Sequence, residues 1–139
     1  MPNPSPKTLN RLLWSAQIIA ALLFLFAGSM KFIMPAEKMQ QGPIVFSMAF
    51  IHFIGICECL GALGLILPGA FRINTWLTPL AAAGLTIIMI GATTITIPAM
   101  GVPAAILPAV VGTITSWIAY SRIRVAPIAD APRRVLRTA

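Results

Sequence analysis

The chain has 139 residues, of which 58% are hydrophobic and only 9% are charged. A soluble domain is roughly 45–50% apolar and about 25% charged, so this composition excludes an ordinary water-soluble domain and indicates a protein solvated mostly by lipid. Ten basic residues against three acidic ones suggest nucleic acid at first sight, but they lie at the termini and in loops, as in membrane proteins. We expect contact with the lipid bilayer and no nucleic-acid partner.

Four apolar runs are long enough to cross ~30 Å of hydrocarbon, which takes ~20 helical residues. The predicted helices are about 12–33, 46–67, 76–97 and 102–120. Pro35, Pro68 and Pro98 are expected to end the first three helices, and Pro108 to kink the fourth, because proline disrupts a helix interior. Since short connections force neighbours to run antiparallel, the sequence predicts an all-α transmembrane antiparallel four-helix bundle over residues 12–120.

The basic residues indicate how the bundle is oriented. Lys31 and Lys38 lie on one side of a four-pass arrangement, and the other side holds Lys7, Arg11, Arg72, Arg122, Arg124, Arg133, Arg134 and Arg137. The positive-inside rule then places both termini in the cytoplasm. Residues 1–11 are predicted to be a cytoplasmic segment and residues 121–139 a basic, disordered cytoplasmic tail. The outer connection, 35–45, fits a solvated turn, with a lid over the bundle mouth as the alternative.

Glu58 lies near the centre of the second run and is the only acidic residue in any of the four. A charge there costs ~2.5–3.5 kcal/mol on insertion scales, so its carboxyl should face protein or water, either ionised or protonated. Depth along the helices places Gln17, Thr86 and Thr113 in the same layer, where they could hydrogen-bond a neutral Glu58. Two interpretations of Glu58 remain open: it binds a ligand or transfers a proton, or it has a purely structural role.

A second polar layer lies nearer the outside, where His52 is level with Lys31. His52 is turned ~120° from Glu58 at ~100° per residue, so one cleft could touch both, but a direct bond is not expected. Lys31 belongs either to this site or to the interface as an anchor. We predict no catalytic residue. We also predict no metal site, because Cys57 and Cys59 point ~200° apart on a helix and their spacing matches neither a redox nor a zinc pattern.

Small residues predict where helices approach closely, since little hydrophobic drive exists between helices in lipid. The residues assigned to helix packing are Gly28, Gly55, Gly61 and Gly64. Packing is the simplest role for each of them.

Short motifs recur in three of the runs. The first run closes on Gly-x-x-Lys at Gly28 to Lys31, the second contains Gly-x-x-Glu at Gly55 to Glu58, and the third is rich in small residues over 81–92. These patterns resemble the DoxX-like family of small bacterial four-helix membrane proteins, over about residues 12 to 120. The resemblance implies a multi-pass protein of the bacterial cytoplasmic (inner) membrane and carries over those four motif residues.

One departure from the family pattern bears on function. The third run reads Ala92-Thr-Thr-Ile-Thr96, whereas the family commonly has a histidine there. A redox or proton role that relies on that histidine would have to pass to His52. The resemblance also implies an association with membrane redox systems, including quinone-linked thiosulfate oxidation in a namesake relative.

Three functions are compatible with these observations. The first is a non-catalytic accessory subunit of a membrane redox system that binds a quinone or lipid-like molecule near Glu58, with no covalent cofactor. The second is a structural or scaffold subunit, with a membrane protein or a second copy as partner, and the third is a small proton-coupled transporter. A cavity that reaches Glu58 would favour ligand binding or transport over scaffolding.

Overall fold

Four long helices and one short helix build the described part of the molecule. The computed structural model describes residues 6–41 and 43–131. Its helices are α1 (Pro6–Ile33), α2 (Ala36–Met39), α3 (Met48–Phe71), α4 (Leu77–Met100) and α5 (Val102–Arg124). Helices α1, α3, α4 and α5 are each long and apolar enough to cross a membrane. The predicted all-α four-helix transmembrane fold is confirmed.

The long helices pack as a ring in chain order. The α4–α5 seam is the most extensive, followed by α1–α3 and α3–α4, whereas α1 and α5 make the sparsest of the four seams. Asn10, Gly69 and Ala126 line one cavity, so the start of α1, the end of α3 and the end of α5 share one end of the bundle. We call this the terminal end, and the opposite one the loop end. That the terminal end faces the cytoplasm stays a prediction from the basic residues.

The core of the bundle is thin and rich in small residues. Its buried members are Ala20, Ala21, Phe24, Ala62, Leu65, Ala82, Leu85, Met89, Ile118 and Ala119. Large apolar side chains point outward instead, with Leu22 63% and Ile87 71% exposed. Alanine lets helix backbones approach closely, and the outward side chains form the surface that contacts lipid.

Two prolines do not end their helices as predicted. Helix α3 continues through Pro68 and α4 through Pro98. Proline removes its own N–H bond to the carbonyl four residues back, but its carbonyl still accepts, and that of Pro68 accepts the N–H of Arg72. The helices end instead where the backbone leaves the helical region, at Arg72 (φ 54°) and Gly101 (φ 86°), as is common at helix C-termini.

Helical structure also extends into both terminal segments. Helix α1 begins at Pro6, a position that proline tolerates because the first N–H groups of a helix have no partner within it. Helix α5 runs to Arg124, beyond the predicted bound at residue 120. The predictions for residues 1–5 and 132–139 lie outside the described residues. The α1–α3 connection carries α2, a single turn without a buried residue.

Residues 125–131, which we call the strap, pack against the α3–α4 connection. The Thr75 N–H donates to Asp130 Oδ1 at 2.8 Å, and Thr75 Oγ1 donates to Ile128 O at 2.7 Å. The Ala131 N–H donates to the carbonyl of Arg72 at 2.9 Å. This part of the predicted disordered tail is therefore bound to the bundle, because its polar groups find backbone and hydroxyl partners there.

Candidate functional site

A buried ion pair joins the end of α1 to the centre of α3. Lys31 Nζ lies 2.5 Å from Glu58 Oε2, and the two side chains are 27% and 4% exposed. Lys31 Nζ also donates to Ala27 O at 3.4 Å. The carboxylate is thus paired with an ammonium group rather than with the neutral partners that depth alone suggested.

The pairing bridges the two polar layers predicted from the sequence. Lys31 was expected to be level with His52, six residues or ~9 Å along the helix from Glu58. The lysine and glutamate side chains together span that offset, since a four-carbon stem can lie along apolar surface while its charged end reaches a partner. His52 stacks instead on Phe32, with ring centroids 5.0 Å apart.

Two glycines hold α1 and α3 in backbone contact beside the ion pair. A Cβ on Gly28 would lie 2.8 Å from the carbonyl oxygen of Gly55 and 2.7 Å from Cys59 Sγ. Real Cβ atoms do not approach this closely, because atoms at such distances overlap. Lys31 and Glu58 each follow one of these glycines by three residues. Because α1 and α3 run antiparallel, the two residues lie on opposite sides of the glycine contact, and their long side chains meet beside it.

The other two glycines lie on the next seam, between α3 and α4. A Cβ on Gly61 would lie 2.6 Å from Leu85 Cδ2, and one on Gly64 would lie 2.7 Å from the Cβ of Ala81. Small residues at this seam let α4 approach α3. Glu58 therefore lies between two close helix contacts, one on each side of α3.

A groove lies between α3 and α4 in the half of the bundle nearer the loop end, and the ion pair forms part of its wall. Its volume is about 500 Å³. Its lining includes Phe50, Phe53, Ile54, Glu58, Lys31, Ile87, Gly91 and Thr96. Ligand sites in proteins are typically concave and apolar with a few polar groups, and this groove has that character. A cavity that reaches Glu58 was the feature expected to favour ligand binding or transport over scaffolding.

Thr86 and Thr113 are placed on the α4–α5 side of the bundle, not beside Glu58. Thr86 Oγ1 lies 2.9 Å from Thr115 Oγ1, and Thr113 Oγ1 donates to a carbonyl of its own helix at 2.8 Å. Both line a separate groove of about 260 Å³ along that seam. Equal depth did not bring these hydroxyls to the carboxylate, because depth does not set the rotation of a helix about its axis.

Gln17 is buried at the terminal end, in a cluster built around Arg122. Arg122 Nε donates to Gln17 Oε1 at 2.8 Å, and Gln17 Nε2 donates to Leu65 O at 2.6 Å. Arg122 Nη1 donates to Asn10 Oδ1 at 2.7 Å, and the guanidinium lies 5.6 Å from the ring centroid of Trp14. Arg122 is only 3% exposed. These bonds tie α1, α3 and α5 together.

The sequence reasoning missed the burial of Arg122, which it grouped with the interfacial basic residues. The spacing of buried residues along α5 contained a signal for this burial. Arg122 follows Thr115 by seven residues and Ile118 by four, and all three are buried on one face of α5. Continuing that helical period past residue 120 would have placed the arginine on the buried face.

We expect Gln17→Leu to lower the free energy of unfolding by about 2–3 kcal/mol, because it leaves the buried Nε of Arg122 without an acceptor. Ser15→Ala is the matched control on α1, since Ser15 is exposed and its hydroxyl donates to the Arg11 carbonyl of its own helix. Unfolding measured in mild detergent checks the difference. Equal losses in the two variants would contradict this account of the cluster.

The described residues show no arrangement suited to holding a metal ion. Within residues 6–41 and 43–131, no three His, Cys, Asp or Glu side chains converge. Cys57 and Cys59 are free thiols, each half-buried.

The model of the DoxX-like family matches residues 15–119. The chain belongs to the DoxX-like family. The match includes both glycines of the α1–α3 crossing and the Lys31–Glu58 pair, and it confirms the resemblance stated from the motifs. No curated protein and no solved structure gives a significant match.

Family membership and the four apolar helices together make this DoxX-like chain a multi-pass membrane protein. The matched range ends at residue 119, before Arg122. The ion pair thus lies inside the region shared with other DoxX-like proteins, whereas the arginine cluster lies at its edge.

Proposed function

We propose that this protein binds a lipophilic small molecule with a polar head, of the quinone class, in the groove between α3 and α4. It would do so as a non-catalytic accessory subunit of a membrane redox system. The observation that carries the proposal is the Lys31–Glu58 pair in the wall of a groove of about 500 Å³. An apolar groove with one charged pair matches an apolar ligand with one polar end.

Lys31 provides the donor for such a head group. An ammonium group carries three protons, and among the described residues Lys31 donates to Glu58 and to the Ala27 carbonyl. One proton is left for a ligand oxygen. Because a quinone carbonyl is an acceptor, Lys31 would bind it while Glu58 fixes the position of the ammonium group.

The groove suits entry from the bilayer rather than from water. Ile87 and Phe53, two of its lining side chains, are 71% and 58% exposed on the outer surface of the bundle. A volume of about 500 Å³ falls in the range of ~300–1,000 Å³ typical of small-molecule sites. It accommodates a ring and the first part of a tail, with the remainder in lipid.

A structural subunit is the second candidate, favoured by the α1–α3 crossing. The backbone contact of Gly28 with Gly55 and the adjacent ion pair would fix one register between these helices without any ligand. Buried ion pairs serve this purpose in some proteins. In that case the groove would be occupied by ordinary lipid, and no head group would be selected.

Filling the groove tests the proposal. Gly91 lines it, and a Cβ there meets nothing within 4 Å, so Gly91→Phe should occupy the groove without disturbing the fold. We expect it to weaken binding of a short-tail ubiquinone at least about tenfold, or roughly 1.4 kcal/mol. Native mass spectrometry of the protein in nanodiscs measures the bound fraction.

Gly84→Phe is the matched control for this experiment. Gly84 is on the same helix and its Cβ position is equally open, but it lines the adjoining groove of the α3–α4 seam and not this one. The control should bind the quinone as the wild type does. Quinone retention by wild type no greater than by empty nanodiscs, or equal retention by both variants, would refute binding in this groove and favour the structural candidate.

A further inference from the structure

We propose that the terminal end carries a second site, for an anionic phosphate-bearing ligand, in the cavity between the ends of the helices and the strap. This site is separate from the groove at Glu58 and does not depend on the function proposed for it. The cavity has a volume of about 560 Å³ and includes Asn10, Trp14, Arg72 and Ala126 in its lining.

The first observation is a buried cation directly behind the cavity wall. Arg122 Nη1 donates to Asn10 Oδ1 and to the carbonyl of Ala126 at 3.1 Å, and its guanidinium lies over the Trp14 ring. All three of these neighbours line the cavity. The positive charge of Arg122 is therefore separated from the cavity by a single layer of residues.

The second observation is that the charge of Arg122 is not compensated within the described chain. Its hydrogen-bond acceptors there are two amide side chains and one backbone carbonyl, and no carboxylate pairs with it. Among the described residues, Arg122 Nη2 is also buried and has no hydrogen-bond partner. A buried unpaired charge is costly, so an anion placed in the adjacent cavity gains a favourable interaction with it.

A second arginine lies in the cavity lining itself. Arg72 lines the cavity and is exposed, at the left-handed end of α3. Arginine binds phosphate oxygens with paired, charge-assisted hydrogen bonds. The nearby carboxylate, Asp130, is held on the N–H of Thr75 in the α3–α4 connection, and it is not part of the cavity lining.

The position of the cavity fits two sources of the same phosphate chemistry. It lies where the apolar helices end, at the level of Trp14 and Trp76, and aromatic side chains are typical of the membrane interface. A phospholipid head group is present at that level, and a free phosphate reaches it from water. Both would place phosphate oxygens between Arg72 and the wall in front of Arg122.

The test compares ligands on the full chain in neutral detergent. Dioleoylphosphatidylglycerol, dioleoylphosphatidylcholine and sodium phosphate are added separately, with sodium chloride matching ionic strength, and the unfolding temperature is measured. We expect phosphatidylglycerol, phosphate or both to raise the Tm by about 5 °C near saturation. A shift with the lipid only assigns the head group as the source, and one with phosphate only assigns the free anion.

Variants locate the effect. Arg72→Asn removes one charge and keeps a residue that tolerates the left-handed backbone, so it should fold and lose at least half of the shift. Arg122→Lys keeps a charge but loses donors, and should also reduce it. Arg124→Gln is the control, because Arg124 is exposed and outside the cavity lining, and it should retain the full shift.

Two results would overturn the proposal. The first is no Tm shift with either phosphatidylglycerol or phosphate. The second is a shift that phosphatidylcholine reproduces or that Arg72→Asn retains in full, since either would show a general effect of lipid or salt. These outcomes leave the groove at Glu58 untouched, because no ligand in this experiment is a quinone.

Discussion

Lys31→Met should lower the free energy of unfolding by about 3 kcal/mol or more, and Glu58→Gln by clearly less. Removing one partner of a buried ion pair costs ~3–5 kcal/mol, because the other charge is left buried and uncompensated. Glu58 is 4% exposed, whereas Lys31 is 27% exposed and can turn its ammonium group outward. The loss should therefore depend on which partner is removed.

The double variant Lys31→Met/Glu58→Leu completes this test. Replacing both charged groups by apolar ones of similar size should recover most of the stability lost in Lys31→Met, since a fully apolar pair carries no desolvation cost. With Glu58→Leu added as a single variant, a double-mutant cycle on unfolding in detergent gives the coupling energy between Lys31 and Glu58. A loss in the double variant equal to the sum of the losses in Lys31→Met and Glu58→Leu would show that the pair does not act as a unit.

Gly28→Ala should destabilise the protein by about 2–3 kcal/mol, because the added methyl group overpacks the α1–α3 crossing. The Cβ would lie 2.8 Å from the carbonyl oxygen of Gly55. That atom belongs to a helix backbone, which cannot move aside as the end of a side chain can. The helices would have to separate, and the distance between Lys31 and Glu58 would grow with them.

Gly84→Ala is the matched control for the glycine prediction. Gly84 lies in α4, and a Cβ at that position meets nothing within 4 Å. Alanine stabilises a helix interior over glycine by roughly 0.5–1 kcal/mol, so this variant should unfold no more easily than wild type. Thermal unfolding in detergent compares the two variants, and similar losses in both would contradict a specific contact at Gly28.

The two large effects converge on one part of the fold. Gly28 and Gly55 bring the backbones together, and the side chains of Lys31 and Glu58, each three residues along the chain from one of these glycines, pair beside that contact. A loosened crossing should therefore also weaken any ligand bound at Lys31, even though neither glycine lines the groove. Measuring quinone retention in Gly28→Ala beside its stability links the packing of α1 to the proposed site.

Several features followed from the sequence by itself. A membrane span needs ~20 apolar helical residues, and only four runs in the sequence meet that length, so the number of membrane-spanning helices and their antiparallel order were determined. A lone carboxylate in such a run is costly, which singled out Glu58. The short glycine motifs identified the family, and with it Gly28, Gly55 and Lys31.

Only the tertiary structure decided which polar groups meet. Lys31, not Gln17 or the threonines, reaches Glu58, and Gln17 lies instead against Arg122. The reason is that the lipid-facing side of each helix is as apolar as the side facing the core. In α1 the neighbours Ala21 and Leu22 are 4% and 63% exposed, yet both are hydrophobic. Hydrophobic pattern therefore gives the length and depth of a span in lipid, while close packing of small residues sets its rotation.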